Sequence, residues 1–337
     1  MINPTSSSDP LHFPVMLDEV IKICSPNRGG IYIDCTFGGG GYSKKLLKFS
    51  KTKVIALDRD KFIFNISKEL EKKHQNRFFF HQKKFSEVNT VIGSQLADAV
   101  VFDLGLSSIQ LNNLERGFSF NSKEKLDMSM GLSSFSAQEA INNLSESHLK
   151  LIIKILGEEK EASKIAKNIV KVRLKKRITR VDELVNIINK SKKKNYTNKI
   201  NPSTKTFQAF RIFVNKEITE LINGIVNATK ILKPGGKILI VSFHSIEDKI
   251  VKYFFSSYCK NRSRASRYIP DIDSQNLTLF EKYEKKVIRP SNSEILKNNR
   301  SRSAKLRFAI RSKDKFFLPI ELFKKFEKYL NIEAINV

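Results

Sequence analysis

Acidic residues are scarce in this 337-residue chain: 34 Asp and Glu stand against 61 Lys and Arg, a formal net charge of +27. Two explanations fit such an excess. Lysines and arginines displace condensed counterions from phosphates, so a polyanionic partner is one. Compositional drift toward Lys, Asn and Ile, with solvated lysines, is the other. Cysteine is scarcer still. Cys24, Cys35 and Cys259 are odd in number and show no C-x-x-C spacing. That argues against a disulfide framework or a zinc site and implies a reduced, cytoplasmic setting. No constellation of metal ligands stands out. Long apolar runs are missing too. Stretches such as "ILIV" fall far short of the ~20 residues that span a bilayer, so no membrane partner is expected. The opening "MINPTSSSDPLHFP" lacks the basic start and apolar stretch of a signal peptide. There are no internal repeats. Hydrophobic residues make up 40% of the chain, which provides for a core and argues against global disorder.

What is present is an alternation of strands and helices. "GIYIDCTF" (30–37), "KVIALD" (53–58), "RFFFHQ" (77–82) and "DAVVFDLG" (98–105) read as buried strands. Helical stretches fit between them, near 42–49 and 61–73. Such alternation predicts parallel pairing with right-handed crossovers. The pattern then changes, and 135–200 holds no convincing strand. Ser136 and Glu139 stand in capping-box spacing, Thr179 and Asp182 repeat it, and 148–175 reads as an amphipathic helix rich in Lys. A long helix over 206–232 follows, then a "KPGG" turn and a strand over 237–243. Ser245 reads as the N-cap of the next helix, with Asp248 three residues on. After a Lys/Arg-rich loop, 303–311 fits a last strand and 321–330 a short amphipathic helix. This divides the chain into a first α/β part (1–115), a helical insertion (116–205), a second α/β part (206–311) and a tail helix (312–337).

The segment "DCTFGGGGYS" (34–43) places four consecutive glycines directly after the first strand. Each loses more backbone freedom on folding than any other residue, so the loop must let the backbone approach something. A dinucleotide site requires G-x-G-x-x-G, but Gly38-x-Gly40 leads to Ser43 and Gly39-x-Gly41 to Lys44. The G-K-[ST] of a P-loop is absent as well. An acid at the strand end followed by a compact glycine cluster suits S-adenosylmethionine, whose methionine end carries no phosphate. The second strand ends at Asp58, about 20 residues after the first glycine, where a carboxylate can accept both ribose hydroxyls. Asp60 reads as a cap for the following helix. Asp103 ends the fourth strand, at the carboxyl edge where open α/β sheets hold ligands.

These segments resemble those of the bacterial 16S rRNA cytosine-N4 methyltransferases, the RsmH or MraW family. The resemblance runs from "HFPVMLDEV" (12–20) to "RSRSAKLRFAI" (300–310). It is carried by "IYIDCTFGGGGYS", "LDRD", "DLGLSSIQLNNLERGFSF", "LDMSM", "NPSTKTFQAFRIFVNKE", "LKPGGKILIVSFHSIEDKIVK" and "NRSRSAKLR". It implies an α/β fold of class I, Rossmann-like methyltransferase type: a mostly parallel sheet with an inserted all-helical domain for substrate recognition. It further implies S-adenosylmethionine as cofactor, held by Gly40, Gly41, Tyr42, Asp58, Phe85, Asp103 and Gln110. The implied partner is 16S rRNA or the small ribosomal subunit, methylated at N4 of cytosine 1402, by a monomer or homodimer. The family usually has His where this chain has Tyr42. "NPSTKTFQA" and "MSM" are milder departures.

The cytosine amino nitrogen is a poor nucleophile, because its lone pair is delocalised into the ring. In-line attack on a sulfonium methyl calls for positioning and for an acceptor that holds an N–H and stabilises the developing charge. Asp103, with Ser107 or Ser108, is expected to do this, and His244 is expected to orient the base or accept a proton. Arg116 and Arg211 are candidate phosphate or carboxylate clamps, with an internal salt bridge as the alternative for each. The basic stretches 173–180, 190–199, 260–268 and 297–307 are expected to form an RNA-binding rim, with Lys192, Lys193, Lys194 and Arg302 among its contacts. A nicotinamide-dependent oxidoreductase is disfavoured by the missing third glycine. A non-catalytic RNA-binding or assembly protein on the same fold is the remaining alternative, raised by Tyr42.

Overall fold

The computed structural model describes residues 14–192, 201–260 and 277–337. Seven strands form one sheet: β1 (Gly30–Asp34), β2 (Thr52–Asp58), β3 (Phe78–Gln82), β4 (Ala97–Asp103), β5 (Leu232–Ser242), β6 (Phe280–Tyr283) and β7 (Lys305–Arg311), in the order β3-β2-β1-β4-β5-β7-β6. The first five pair in parallel, and β7 runs antiparallel to both of its neighbours. The order reverses between β1 and β4, which places a crevice at their carboxyl ends. The fold is thus a mostly parallel α/β sheet of the class I, Rossmann-like methyltransferase kind.

The central strands β1, β2, β4 and β5 are apolar on both faces, as parallel strands covered on two sides must be. Tyr32, Ala99, Val101, Leu239 and Val241 face one layer, and their neighbours Ile33, Val100, Phe102, Ile238 and Ile240 face the other. The first layer includes α1 (Leu17–Cys24), α2 (Gly41–Leu46), α3 (Phe64–Lys73) and α4 (Ser108–Asn112). The second holds α5 (Ala137–Asn143), α6 (Glu146–Ile155), α7 (Ala162–Arg173), α8 (Val181–Ser191), α9 (Thr204–Asn215), α10 (Glu217–Lys230), α11 (Ser245–Ser257) and the C-terminal helix α13 (Ile320–Glu333). A short helix, α12 (Asn292–Lys297), precedes β7. One continuous core joins the helices of 137–191 to the sheet.

Several sequence expectations need correction. The helix over 148–175 is two helices, α6 and α7, separated where Glu158 takes a left-handed conformation. The long helix over 206–232 is also two, α9 and α10, broken at Lys216 with φ 50°. The break holds because its groups find partners elsewhere. Asn215 donates to Met128 and Arg211 carbonyls (2.8 Å each) and accepts from Met130 N–H (2.8 Å). The open start of α10 donates Ile218 N–H and Thr219 N–H to Glu333 of α13, at 2.9 and 2.7 Å. Glu183 rather than Asp182 closes the start of α8, accepting from Thr179 N–H (2.9 Å) and Arg180 N–H (3.1 Å). His244 rather than Ser245 is the N-cap of α11, with Glu247 closing the box. Strand β6 falls where the sequence reads as a loop; Phe280 within it is fully buried. The Ser136–Glu139 box and the Asp60 cap are present as expected.

Candidate active site

The crevice at the carboxyl ends of β1, β2 and β4 encloses about 1060 Å³, part of it open to solvent. Five acids line it, Asp58, Asp103, Glu217, Glu220 and Glu247, against two cations, Arg59 and Arg300. An acidic crevice in so basic a chain is a local reversal of sign, which favours a cationic ligand.

Asp58 stands at the end of β2. Its carboxylate accepts from Gly38 N–H (2.8 Å) and Asp60 N–H (2.9 Å), so the glycine loop is held by the second strand. Burial pushes its pKa up to about 6 despite those two donors. Asp34, at the end of β1, is buried and also raised to about 6 by desolvation, with Ser43 Oγ donating at 2.7 Å. Asp103 is raised well above the usual carboxylate range, first by burial and then by Asp34 and Glu247. Its backbone N–H donates to Thr36 Oγ1 (2.7 Å), but its Oδ1 is buried without a hydrogen-bond partner. Buried acceptors rarely stay unpaired, and one facing a crevice calls for a donor from a ligand.

Of the residues expected at the cofactor, Asp58, Phe85, Asp103 and Gln110 line the crevice. Gln110 is oriented from both sides: Asp60 Oδ2 accepts from its Nε2 (2.9 Å), and its Oε1 accepts from Ser107 N–H (3.0 Å). Phe85 stacks edge-on against Phe102, ring centres 5.5 Å apart. Gly224 in the middle of α10 makes room for it, since a Cβ there would lie 2.6 Å from Phe85 Cδ2. Gly40, Gly41 and Tyr42 are not among the lining residues; Gly38 represents the loop instead. Gly40 turns the chain with φ +77° over the Phe37 ring, and Gly41 packs on the Pro14 ring. Tyr42 is buried, its hydroxyl donating to the Val15 carbonyl. Its hydroxyl also lies close enough to Asp103 to lower that acid's pKa against the larger rise from burial.

Ser107 and Ser108 line the crevice, but both hydroxyls have local work. Ser107 caps α4, accepting from Gln110 N–H (3.2 Å), and Ser108 accepts from Arg300 (2.6 Å). Arg300 also donates to Asn112 (3.2 Å), so it ties β7's approach to α4 across the crevice. The sequence points to Arg302 instead, which is exposed two residues on. His244 does not line the crevice; Glu247 does. Glu247 accepts from Phe243 N–H (2.8 Å) and lies 3.2 Å from His244 Nε2. Burial raises this acid, yet His244, Arg211 and the Phe243 N–H outweigh that and hold it below its ordinary range. No metal cluster is legible in the sequence, but the fold brings donor atoms of Glu217, His244 and Glu247 within 4.8 Å of one another. Arg211 meets the charge there, giving Nε and Nη2 to the two Glu217 oxygens at 2.8 Å each.

The clamp readings of Arg116 and Arg211 give way to their alternatives. Arg116 is buried, paired with Asp60, and donates to the Ser129 carbonyl (2.9 Å). Arg211 belongs to Glu217. Much of the expected basic rim is also engaged internally. Lys192 pairs with Glu159 (2.6 Å), Arg180 with Asp182 (2.8 Å), and Lys305 and Arg307 with Asp248 (2.9 and 2.7 Å). Lys193, Lys194 and 261–268 lie outside the described residues. Among the described residues, no helix is long and apolar enough to cross a membrane.

The model of the MraW methylase family matches residues 9–312. The chain is 46% identical to the ribosomal RNA small subunit methyltransferase H of Ehrlichia canis (strain Jake), over 88% of its own length and 98% of that protein. It is 41% identical to the protein of that name from Rickettsia akari (strain Hartford), over 88% of this chain and 97% of the other.

Proposed function

Because this chain belongs to the MraW methylase family, we propose that it carries the activity of an S-adenosylmethionine-dependent rRNA methyltransferase to one atom, N4 of cytosine 1402 in the small-subunit rRNA. The observation that carries this reading is the buried, unpartnered Asp103 Oδ1 at the crevice.

The residues present fit the cofactor. Like charges held together without water are costly, and burial has raised Asp34, Asp58 and Asp103 together. A sulfonium brought among them relieves that repulsion, so the crevice is tuned for a cation. Asp58 retains acceptor capacity for ribose hydroxyls, and Phe85 offers an apolar face. Bound there, the cofactor supplies an electrophilic methyl group.

The chain's own residues supply placement and charge. Asp103 accepts an N–H of the target amino group, turns its lone pair out of conjugation and faces the positive charge that develops on nitrogen. Arg116, through Asp60, and Ser107 hold Gln110 in one orientation. The Asp60–Arg116 pair therefore serves the crevice from behind its wall. The helices of 137–191, inserted between β4 and β5, and the basic segments outside the described residues are assigned to RNA recognition, because the crevice walls themselves carry too much negative charge to attract phosphate.

Tritiated methyl transfer to small-subunit particles, followed by nucleoside mass spectrometry of the modified fragment, tests the reading. N4-methylcytosine at that position is expected; label on a ring carbon, a ribose oxygen or another nucleotide sinks it. Two further outcomes follow from the crevice. Gly224→Ala forces Phe85 to give way, at a cost of about 1–3 kcal/mol. It should weaken cofactor binding by calorimetry about tenfold or more while the protein stays folded. Asp58 must be ionised to accept two hydroxyls, and its pKa stands at about 6. Cofactor affinity should therefore fall as pH drops through that value, and an Asp58→Asn variant should lose the dependence.

A further inference from the structure

Any N4-methylation must dispose of a proton, because the amino nitrogen gains a methyl group and passes through a cation. His244 is the residue whose type suggests the acceptor, but the fold turns it away from the crevice. His244 Nδ1 accepts from Glu247 N–H at 3.5 Å, and Nε2 lies 3.2 Å from Glu247 Oε1 without the alignment of a hydrogen bond, so both ring nitrogens lie beside the same residue. Glu247 itself lines the crevice, close enough to Asp103 to raise that acid's pKa. Its Oε2 is fixed by Phe243 N–H (2.8 Å) and His244 N–H (3.3 Å), in the first turn of α11, where the helix dipole favours a negative charge.

We propose that Glu247 is the proton acceptor of the reaction, with His244 as the residue that positions it. The inference rests on the N4 reading above. In the step, the amino lone pair forms the new N–C bond and the C–S pair leaves with sulfur. One N–H proton then passes to Glu247 Oε1, leaving neutral N4-methylcytosine and a neutral carboxyl group. An exocyclic nitrogen bearing four bonds and a positive charge is strongly acidic, so an ordinary carboxylate is base enough. What the site must secure is that the carboxylate is charged beforehand. Two side chains provide this. His244 at the cap of α11 and Arg211 on α9 favour the anion, while Glu217 on α10 and Asp103 on β4 oppose it. Without ligand the two crevice acids differ, Glu247 held below its ordinary range and Asp103 above it until a cation among the acids relieves the repulsion.

The test is single-turnover methyl transfer to small-subunit particles as a function of pH, with the full chain and saturating cofactor. Glu247→Gln should lower the rate at saturating cofactor by about 10²-fold or more. His244→Gln removes the ring facing Glu247. It should lower the rate less and move the acidic limb of the pH–rate profile upward, because Glu247 then needs a higher pH to ionise. A purely structural histidine would lower activity without moving that limb. Glu247→Asp, which keeps the carboxylate but shortens its reach, should recover part of the activity lost in Glu247→Gln. The proposal is overturned if Glu247→Gln stays within a few-fold of the unaltered rate, or if His244→Gln leaves the limb in place. Nucleoside analysis of the unaltered protein's product separates this from failure of the N4 reading. N4-methylcytosine made at full rate by Glu247→Gln rejects the base and keeps the reaction.

Discussion

Asp103→Asn lowers methyl transfer by about 10²–10³-fold while leaving the protein folded and, without ligand, at least as stable as before. The two halves of this result have one cause. Asp103 is buried among Asp34, Glu247 and Glu294, and its carboxyl is held well above the usual range, by desolvation first and by those acids next. An amide of the same shape keeps the backbone bond to Thr36 Oγ1 and removes the repulsion. It also removes the anion that faces the developing charge. The sign in pH follows. A carboxyl whose pKa is raised on folding binds its proton more tightly in the native state. Native stability therefore falls as pH rises from the ordinary carboxylate value toward the folded one. That slope should be present in thermal melts of the unaltered protein and reduced in Asp103→Asn. Rates near normal in the variant remove Asp103 from the chemistry, and a collapse in melting temperature reassigns it to the fold.

Arg116→Ala unfolds or severely destabilises the chain, by about 3–5 kcal/mol, without acting on RNA directly. Asp60 would be left as a charge in the interior, only 2% of its side chain exposed, while still bound to Phe62 N–H and Gln110. Removing one partner of a buried pair costs more than removing both, so adding Asp60→Asn should recover part of the loss. Denaturant unfolding of the two variants measures this. RNA binding gives the opposing test. Were Arg116 bound to an RNA phosphate, its removal would reduce the slope of log affinity against log salt by about one. That outcome, with unchanged stability, would return Arg116 to the RNA surface.

Tyr42 illustrates how a family departure is absorbed. Its ring fills a buried space behind the glycine loop and its hydroxyl ties down the Val15 carbonyl. Asp58 and Asp103 line the crevice regardless, and Tyr42 does not. The departure therefore falls on the support of the N-terminal segment, and the assembly-protein alternative loses the feature that raised it.

Some residues of the crevice were legible because their signals are local. Asp58 and Asp103 end apolar runs, and an acid at the carboxyl end of a parallel strand has one exit. Gly224 carries a usable signal of its own: a glycine inside a helix costs up to about 1 kcal/mol, which calls for a packing reason. Glu247 offers another, in capping spacing behind His244. Arg300 offers none. Nothing near it in the chain distinguishes it from Arg302, and its partners Ser108 and Asn112 lie 192 and 188 residues away.

Sequence alone determined the alternation of strands and helices, the glycine loop with its flanking acids, and the family, because backbone period and turn chemistry act over a few residues. Tertiary structure decided which charges are neutralised inside. Asp60 takes Arg116, Glu217 takes Arg211, and Glu333 closes α10 from more than a hundred positions away. The reason is electrostatic: a charge withdrawn from water is settled by whatever lies within a few ångströms after folding, and chain order does not encode that neighbourhood.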